Sequence, residues 1–306
     1  MNLRTHIGKI LLNSPIMNAA GVNCVHAHEL DQLYTAEHCG AVVTKSCTVK
    51  PRIGNPEPRY FGNDEFSINS SGLPNMGIDS YINWIQKNQI KPSILSVSPM
   101  CADDIPIIID KINKNSDVIV CPEINLSCPN IEGKSQVAYD FETFSLYLQT
   151  ISEGLGEKTF GLKLPPYFDN IHFQSIADII NEHPTISYVT CINSIPLGLY
   201  VDIEKERKSI IPNDGFGGFG GPSILPTALA NVNKLSKLLK NKQIIGCGGI
   251  KTGEDIYRHL LCGASAVQIG TTLYNNGVGD FERLSKELTA IMERKGQNTL
   301  ADITCV

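Results

Sequence analysis

The sequence predicts an α/β protein, a (β/α)8 TIM barrel with insertions at its C-terminal face and a single domain over 1–306. Three observations predict it. Short apolar runs alternate with helical patterns about eight times, which implies a parallel sheet. A length of 306 residues suits such a barrel, typically about 250 residues, with modest insertions. No G-x-G-x-x-G follows the first strand, which weakens the rival reading of a doubly wound sheet. No repeat, low-complexity tract or linker divides the chain.

The apolar run 16–18 reads as the first strand and 28–38 as its helix. Residues 41–44, rich in β-branched side chains, read as the second strand. A long Pro/Gly-rich stretch, 51–75, precedes a helix at 77–88. Strand 93–98, helix 103–115, strand 118–125 and helix 141–154 follow. Strand 159–164, helix 172–182 and strand 188–192 come next, then a long irregular insertion to residue 226. Helix 227–239, strand 243–246, helix 254–262, strand 266–269 and helix 281–294 complete the pattern.

Composition excludes several classes. A net charge of −5 is a poor match for sequence-independent nucleic-acid binding, which needs a cationic footprint. No stretch approaches the roughly 20 apolar residues that span a bilayer, and residues 1–16 lack a signal-peptide pattern. The protein is expected to be cytoplasmic. Ten cysteines are scattered with no C-x-x-C pair, so no metal site is expected. Cys121, Cys191 and Cys247 lie in apolar runs and read as small buried hydrophobes. Disulfides are not expected in a reducing compartment.

Active sites of such barrels sit at the C-terminal ends of the strands. Lys45 and Ser46 follow the second strand; Asn125, Ser127, Cys128 and Asn130 follow the fourth. Lys163 stands near the end of the fifth, Asn193 and Ser194 follow the sixth, Gly246-Cys247-Gly248-Gly249 the seventh and Gly270-Thr271 the eighth. A lone lysine is usually just solvated, but lysines at strand ends beside apolar runs are hard to explain as solubility. The glycine turns after strands 7 and 8 fall at the recurrent phosphate site of these barrels. There glycine lets backbone N–H groups approach an anion closely. Tight turns with no ligand remain the alternative. Small Ala19-Ala20-Gly21 would let a flat ring lie near the backbone, and Lys163 would stabilise an anionic reduced form of it. These points are compatible with FMN without demanding it. Amides suit a planar substrate with alternating C=O and N–H groups, and they also commonly cap turns.

Asn125-Leu126-Ser127-Cys128-Pro129-Asn130 resembles the signature of dihydroorotate dehydrogenases that use a cysteine base. The resemblance runs almost the whole length. It includes Met17-Asn18-Ala19-Ala20-Gly21, Thr44-Lys45-Ser46-Cys47-Thr48 and Gly54-Asn55-Pro56-Glu57-Pro58-Arg59-Tyr60. It continues through Lys163-Leu164-Pro165-Pro166-Tyr167-Phe168-Asp169 and Cys191-Ile192-Asn193-Ser194. Gly215-Phe216-Gly217-Gly218, Leu225-Pro226-Thr227-Ala228-Leu229-Ala230-Asn231 and Gly246-Cys247-Gly248-Gly249 complete it.

The resemblance implies FMN-dependent oxidation of (S)-dihydroorotate to orotate in pyrimidine biosynthesis. Cys128 would take a proton from C5 while hydride passes from C6 to flavin N5. It implies that Lys45, Asn69, Gly72, Leu73, Asn125, Asn130, Asn193 and Ser194 hold the substrate. Ala20, Gly21, Lys45, Ser46, Asn125, Lys163, Ile192, Gly221, Gly248, Gly249, Gly270 and Thr271 would contact FMN. A cysteine base places the chain with the soluble branch; the membrane-associated branch uses serine and an N-terminal extension that this sequence does not show. Residues 215–218 and 227–231 look most like the homodimeric group that uses fumarate and releases succinate. The other soluble group pairs with a subunit carrying FAD and an iron–sulfur cluster. Ser71 stands where relatives usually have methionine, Pro196-Leu197 where they have Gly-Asn, and Pro222 where a basic residue is common. Rivals are another flavin barrel acting on a reduced pyrimidine, a non-redox phosphate-binding barrel, and a non-catalytic binding protein on the same scaffold.

Overall fold

The computed structural model describes residues 1–127 and 136–306. Eight parallel strand positions surround one axis. They are β1 (Ile16–Asn18), β2 (Val42–Val43), β3 (Ser93–Ile94 and Ser96–Val97, broken at Leu95), β4 (Glu123–Asn125), β5 (Phe160–Leu164), β6 (Ile186–Cys191), β7 (Gln243–Cys247) and β8 (Ala264–Ile269). Each pairs in parallel with the next from β2 to β8, and β8 pairs back to β1. The seam between β1 and β2 carries no strand ladder. There the Asn18 side chain stands in for a peptide group: Nδ2 donates to the Val43 carbonyl at 2.7 Å, and the Val43 N–H donates to Oδ1 at 2.8 Å. The Gly40 N–H donates to the Ile16 carbonyl at 2.8 Å, completing the closure.

Helices α1 (Ala27–Thr35), α2 (Ile78–Lys87), α3 (Asp104–Lys114), α4 (Phe141–Leu155), α5 (Asn170–Asn181), α6 (Leu225–Leu238), α7 (Gly253–Leu261), α8 (Thr271–Asn276) and α9 (Asp280–Arg294) form the outer layer and the short turn α8. Local chemistry explains them. α3 buries Ile105, Ile108, Ile109 and Ile112, one stripe of a 3.6-residue period. Asp140 caps α4 through the Thr143 N–H, Asp169 caps α5 through the His172 N–H, and Thr252 and Asp255 form a capping box on α7.

The barrel interior is layered. At its N-terminal end Met17, Val43, Ile94, Ile245 and Ala266 pack with Ile7, Ile10 and Leu12 of a hairpin, Thr5–Ile7 with Ile10–Leu12, that plugs the bottom. One layer up, register sets Glu123, Gly161 and Tyr188 side by side. A Cβ at Gly161 would lie 2.1 Å from the Tyr188 ring, so only glycine admits that ring to the axis. The next layer holds Asn125, Lys163 and Thr190.

Two differences from the sequence reading have physical causes. The Pro/Gly-rich stretch 51–75 and the insertion 193–226, read as irregular, contribute to one four-stranded antiparallel sheet. Its order is Ile195–Gly198, Gly217–Gly220, Ser67–Asn69, Tyr60–Gly62. Its strands are short, glycine-rich and paired between distant segments, so no local pattern reveals them. Pro196 lies on the edge strand at an irregularity in pairing, where a missing N–H breaks no central ladder. The N-terminal hairpin carries no local signal either, because its strands are three residues each. Boundaries shift elsewhere: strand four is confined to Glu123–Asn125, because Val118 and Ile119 turn back on the Asn115 carbonyl.

Candidate functional site

A cavity of about 400 Å³ opens at the C-terminal mouth, within the size range of ligand sites. The barrel supplies its floor, and the inserted sheet supplies one wall through Tyr60, Ser67, Asn69 and Gly220. Ala20, Gly21, Lys45, Ser46, Asn69, Leu73, Asn125, Lys163, Ile192, Asn193, Ser194, Gly221, Gly248, Gly249, Gly270 and Thr271 all line it. Gly72 does not; it turns at φ 69° between Ser71 and Leu73, which do. Cys128 and Asn130 lie outside the described residues.

The lysines come from different strands. Lys45 follows β2 and is 7% exposed; Lys163 is on β5 and 4% exposed. Lys163 Nζ donates to Gln268 Oε1 at 2.8 Å and to Cys247 Sγ at 3.3 Å. An ammonium has three donors, so one remains for an occupant of the cavity. The acids on the lining are already engaged. Glu29 Oε2 accepts from the Val25 and His26 N–H groups, and Glu57 pairs with Arg59 at 2.7 Å. The lining sets three cations, Lys45, Lys163 and Arg59, against two acids, Glu29 and Glu57, a balance that suits an anionic guest.

Amides and hydroxyls form a fixed polar rim. Asn125 Nδ2 donates to Ser46 Oγ at 3.0 Å, and its Oδ1 accepts from the Ser127 N–H and hydroxyl at 3.1 and 2.9 Å. Asn193 Nδ2 donates to Ser127 Oγ at 2.9 Å, and its Oδ1 accepts from the Ser194 N–H at 2.8 Å. Asn69 Nδ2 donates to the Gly218 carbonyl at 3.2 Å, tying the site to the inserted sheet.

The glycine turn after β7 is built for close approach. Gly248 and Gly249 have φ 119° and 79°, and a Cβ at Gly249 would meet Leu225 backbone at 2.4 Å. Behind the turn, His259 on α7 places Nε2 3.0 Å from the Gly248 carbonyl. Burial lowers the His259 pKa to about 4, so the neutral ring donates to that carbonyl. Thr271 Oγ1, at the start of α8, is 3.0 Å from Ser67 Oγ.

Sequence reasoning missed Glu123, Gln268 and His259. Glu123 and Gln268 sit inside strands, where alternation offers no signal for a polar interior. Cys247, read as a buried hydrophobe, is also a neighbour of Lys163. Burial pushes the thiols of Cys24 and Cys39 up to about 12 and that of Cys191 higher still. These thiols keep their protons at neutral pH. Among the described residues there is no disulfide, and no cluster of His, Cys, Asp or Glu could hold a metal.

Closed barrel, glycine turns after β7 and β8, and buried lysines at the mouth together define a (β/α)8 protein with an anion-accepting ligand cavity. The sequence profile of the dihydroorotate dehydrogenase family matches residues 2–292, and the chain belongs to that family. It is 45% identical to the dihydroorotate dehydrogenase (fumarate) of Trypanosoma brucei brucei, covering 98% of this chain and 96% of that protein. It is 46% identical to the dihydroorotate dehydrogenase A (fumarate) of Lactococcus lactis subsp. cremoris, covering 98% and 97%. The ligand-free DHODH of Eimeria tenella superposes with a TM-score of 0.82 at 21% identity, covering 99% of this chain and 91% of that one, a likeness of fold.

Proposed function

We propose that the chain oxidises (S)-dihydroorotate to orotate in de novo pyrimidine biosynthesis, with FMN bound at the mouth and fumarate as electron acceptor. The observation that carries this reading is the pair of buried lysines, Lys45 and Lys163, facing one cavity rimmed by Asn125, Asn193 and Asn69. The family is flavin-dependent as a whole, and the names of the relatives supply the acceptor.

The residues present fit FMN. The φ values and close Leu225 backbone at Gly248-Gly249 leave room there for no side chain, which suits backbone N–H contact with a phosphate. Gly221, Gly270 and Thr271 extend that end, and Ala20, Gly21, Ser46 and Ile192 supply small or apolar lining for a ring. When bound, FMN supplies a two-electron acceptor for hydride from substrate C6.

Lys163 offers its remaining N–H to the cavity, and Lys45 a second buried cation. Asn69, Asn125, Asn193 and Ser194 present amide and hydroxyl groups to a planar substrate, and Leu73 adds apolar lining beside them. Gly72, beside that lining, lets the loop turn, and Asn130 joins the substrate set from outside the described residues. Cys128, also outside them, removes the C5 proton.

The whole chain, 1–306, acts as one FMN-binding barrel domain in the cytoplasm, without nucleic acid. No described helix is long and apolar enough to cross a membrane. A homodimer is supported by apolar side chains on the insertion, with Leu197 73%, Ile203 81% and Ile211 61% exposed.

The test is anaerobic mixing with dihydroorotate and then fumarate while flavin absorbance is followed. Bleaching and then recovery is expected. A colourless protein that takes up no FMN would sink the reading.

A further inference from the structure

Glu123 is fully buried at the barrel axis, in the layer beneath Lys163. Its Oε2 accepts from Thr190 Oγ1 at 2.7 Å and from Gln268 Nε2 at 3.0 Å. Gln268 Oε1 in turn accepts from Lys163 Nζ at 2.8 Å. An ammonium only donates and a carboxylate only accepts, so the amide between them has one workable orientation. The second carboxylate oxygen, Oε1, is buried with no hydrogen-bond partner among the described residues. A carboxylate this deep is costly to keep charged unless a counter-charge offsets it. The cation its hydrogen bonds reach is Lys163.

We propose that Glu123 is the buried counter-ion of Lys163, a positioning residue that acts through Gln268. It holds the ammonium at the cavity wall and limits the positive charge that a bound flavin meets. This rests on the flavin reading of the cavity. Reduction adds negative charge to a flavin, and Lys163 favours that state. Glu123, one amide further away, opposes it. The flavin therefore draws electrons from dihydroorotate less strongly and releases them to the acceptor more readily. Glu123 itself exchanges neither proton nor electron.

The decisive measurement is the flavin midpoint potential of the FMN-loaded protein, wild type against Glu123→Gln, by equilibration with a reference dye. The amide keeps the shape and removes the charge. The equilibrium for flavin reduction should rise on the order of tenfold, which is about 30 mV for a two-electron couple. Reduction by dihydroorotate should be faster and reoxidation by fumarate slower. The double variant Glu123→Gln with Gln268→Glu returns a carboxylate next to Lys163, and its potential should fall back to the wild-type value or below. It also decides the matter if the single variant does not fold: recovery of folding and FMN uptake supports the ion pair, and continued failure overturns it. If Glu123→Gln binds FMN at the wild-type potential, the counter-ion role is wrong while the flavin reading stands. A wild-type protein that takes up no FMN overturns both.

Discussion

Position 161 shows how one missing methyl group shapes the barrel. A Cβ there would lie 2.1–2.4 Å from three atoms of the Tyr188 ring. Gly161→Ala should destabilise by about 1–3 kcal/mol, the usual cost of overpacking. A urea midpoint unchanged from wild type would count against the layer described. At the chemical end, Cys128→Ala should still bind FMN but lose on the order of 10²-fold or more of its flavin reduction rate with dihydroorotate. A free thiol ionises near pH 8.5 or so, so the wild-type rate should climb above neutral pH. A rate flat from pH 6 to 9 would remove Cys128 from the role. Lys45 and Lys163 stand out in the sequence because lysines at strand ends beside apolar runs are hard to explain as solubility. Glu123 and Gln268 do not, because their partners arrive from strands far away in sequence.

Among the elements, the turn after β7 depends on the helix behind it. His259 is buried and its pKa is lowered to about 4, from burial first. A histidine that stays neutral in the fold but ionises near 6.5 when unfolded leaves the fold at its full stability above about pH 6.5. That stability declines by about 3 kcal/mol on acidification toward pH 4. Thermal unfolding from pH 7 to 4 should show this loss, and His259→Gln should flatten it and weaken FMN retention. An equally steep profile in the variant would assign the acid sensitivity elsewhere. The β1–β2 seam gives a second test. Asn18→Leu leaves the Val43 N–H and C=O without the amide they bond, at a cost of about 1–3 kcal/mol for each buried group. The eight strand–helix units were readable from periodicity alone. The inserted sheet was not: Gly217-Gly218-Phe219-Gly220 carries no strand signature, and its order comes from Ser67–Asn69 beside it.

At the scale of the molecule, the exposed apolar residues of the insertion predict self-association. Wild type should sediment as a dimer, and Leu197→Asp with Ile203→Asp should shift it toward monomer while FMN stays bound. A monomeric wild type at micromolar concentration would withdraw that part of the reading. The inserted sheet has a further consequence, for the order of events after synthesis. Asn69 and Gly218 meet across 149 residues of chain, and contacts of such separation are slow to form because the intervening segment must first be ordered. The loops carrying those strands are rooted at β2 and β6, so the barrel must gather its staves before the wall of the mouth can be stitched. In refolding from urea, barrel fluorescence should therefore recover before the protein can capture FMN. On that order of events FMN would meet a finished receptacle, not a scaffold that it helps to assemble.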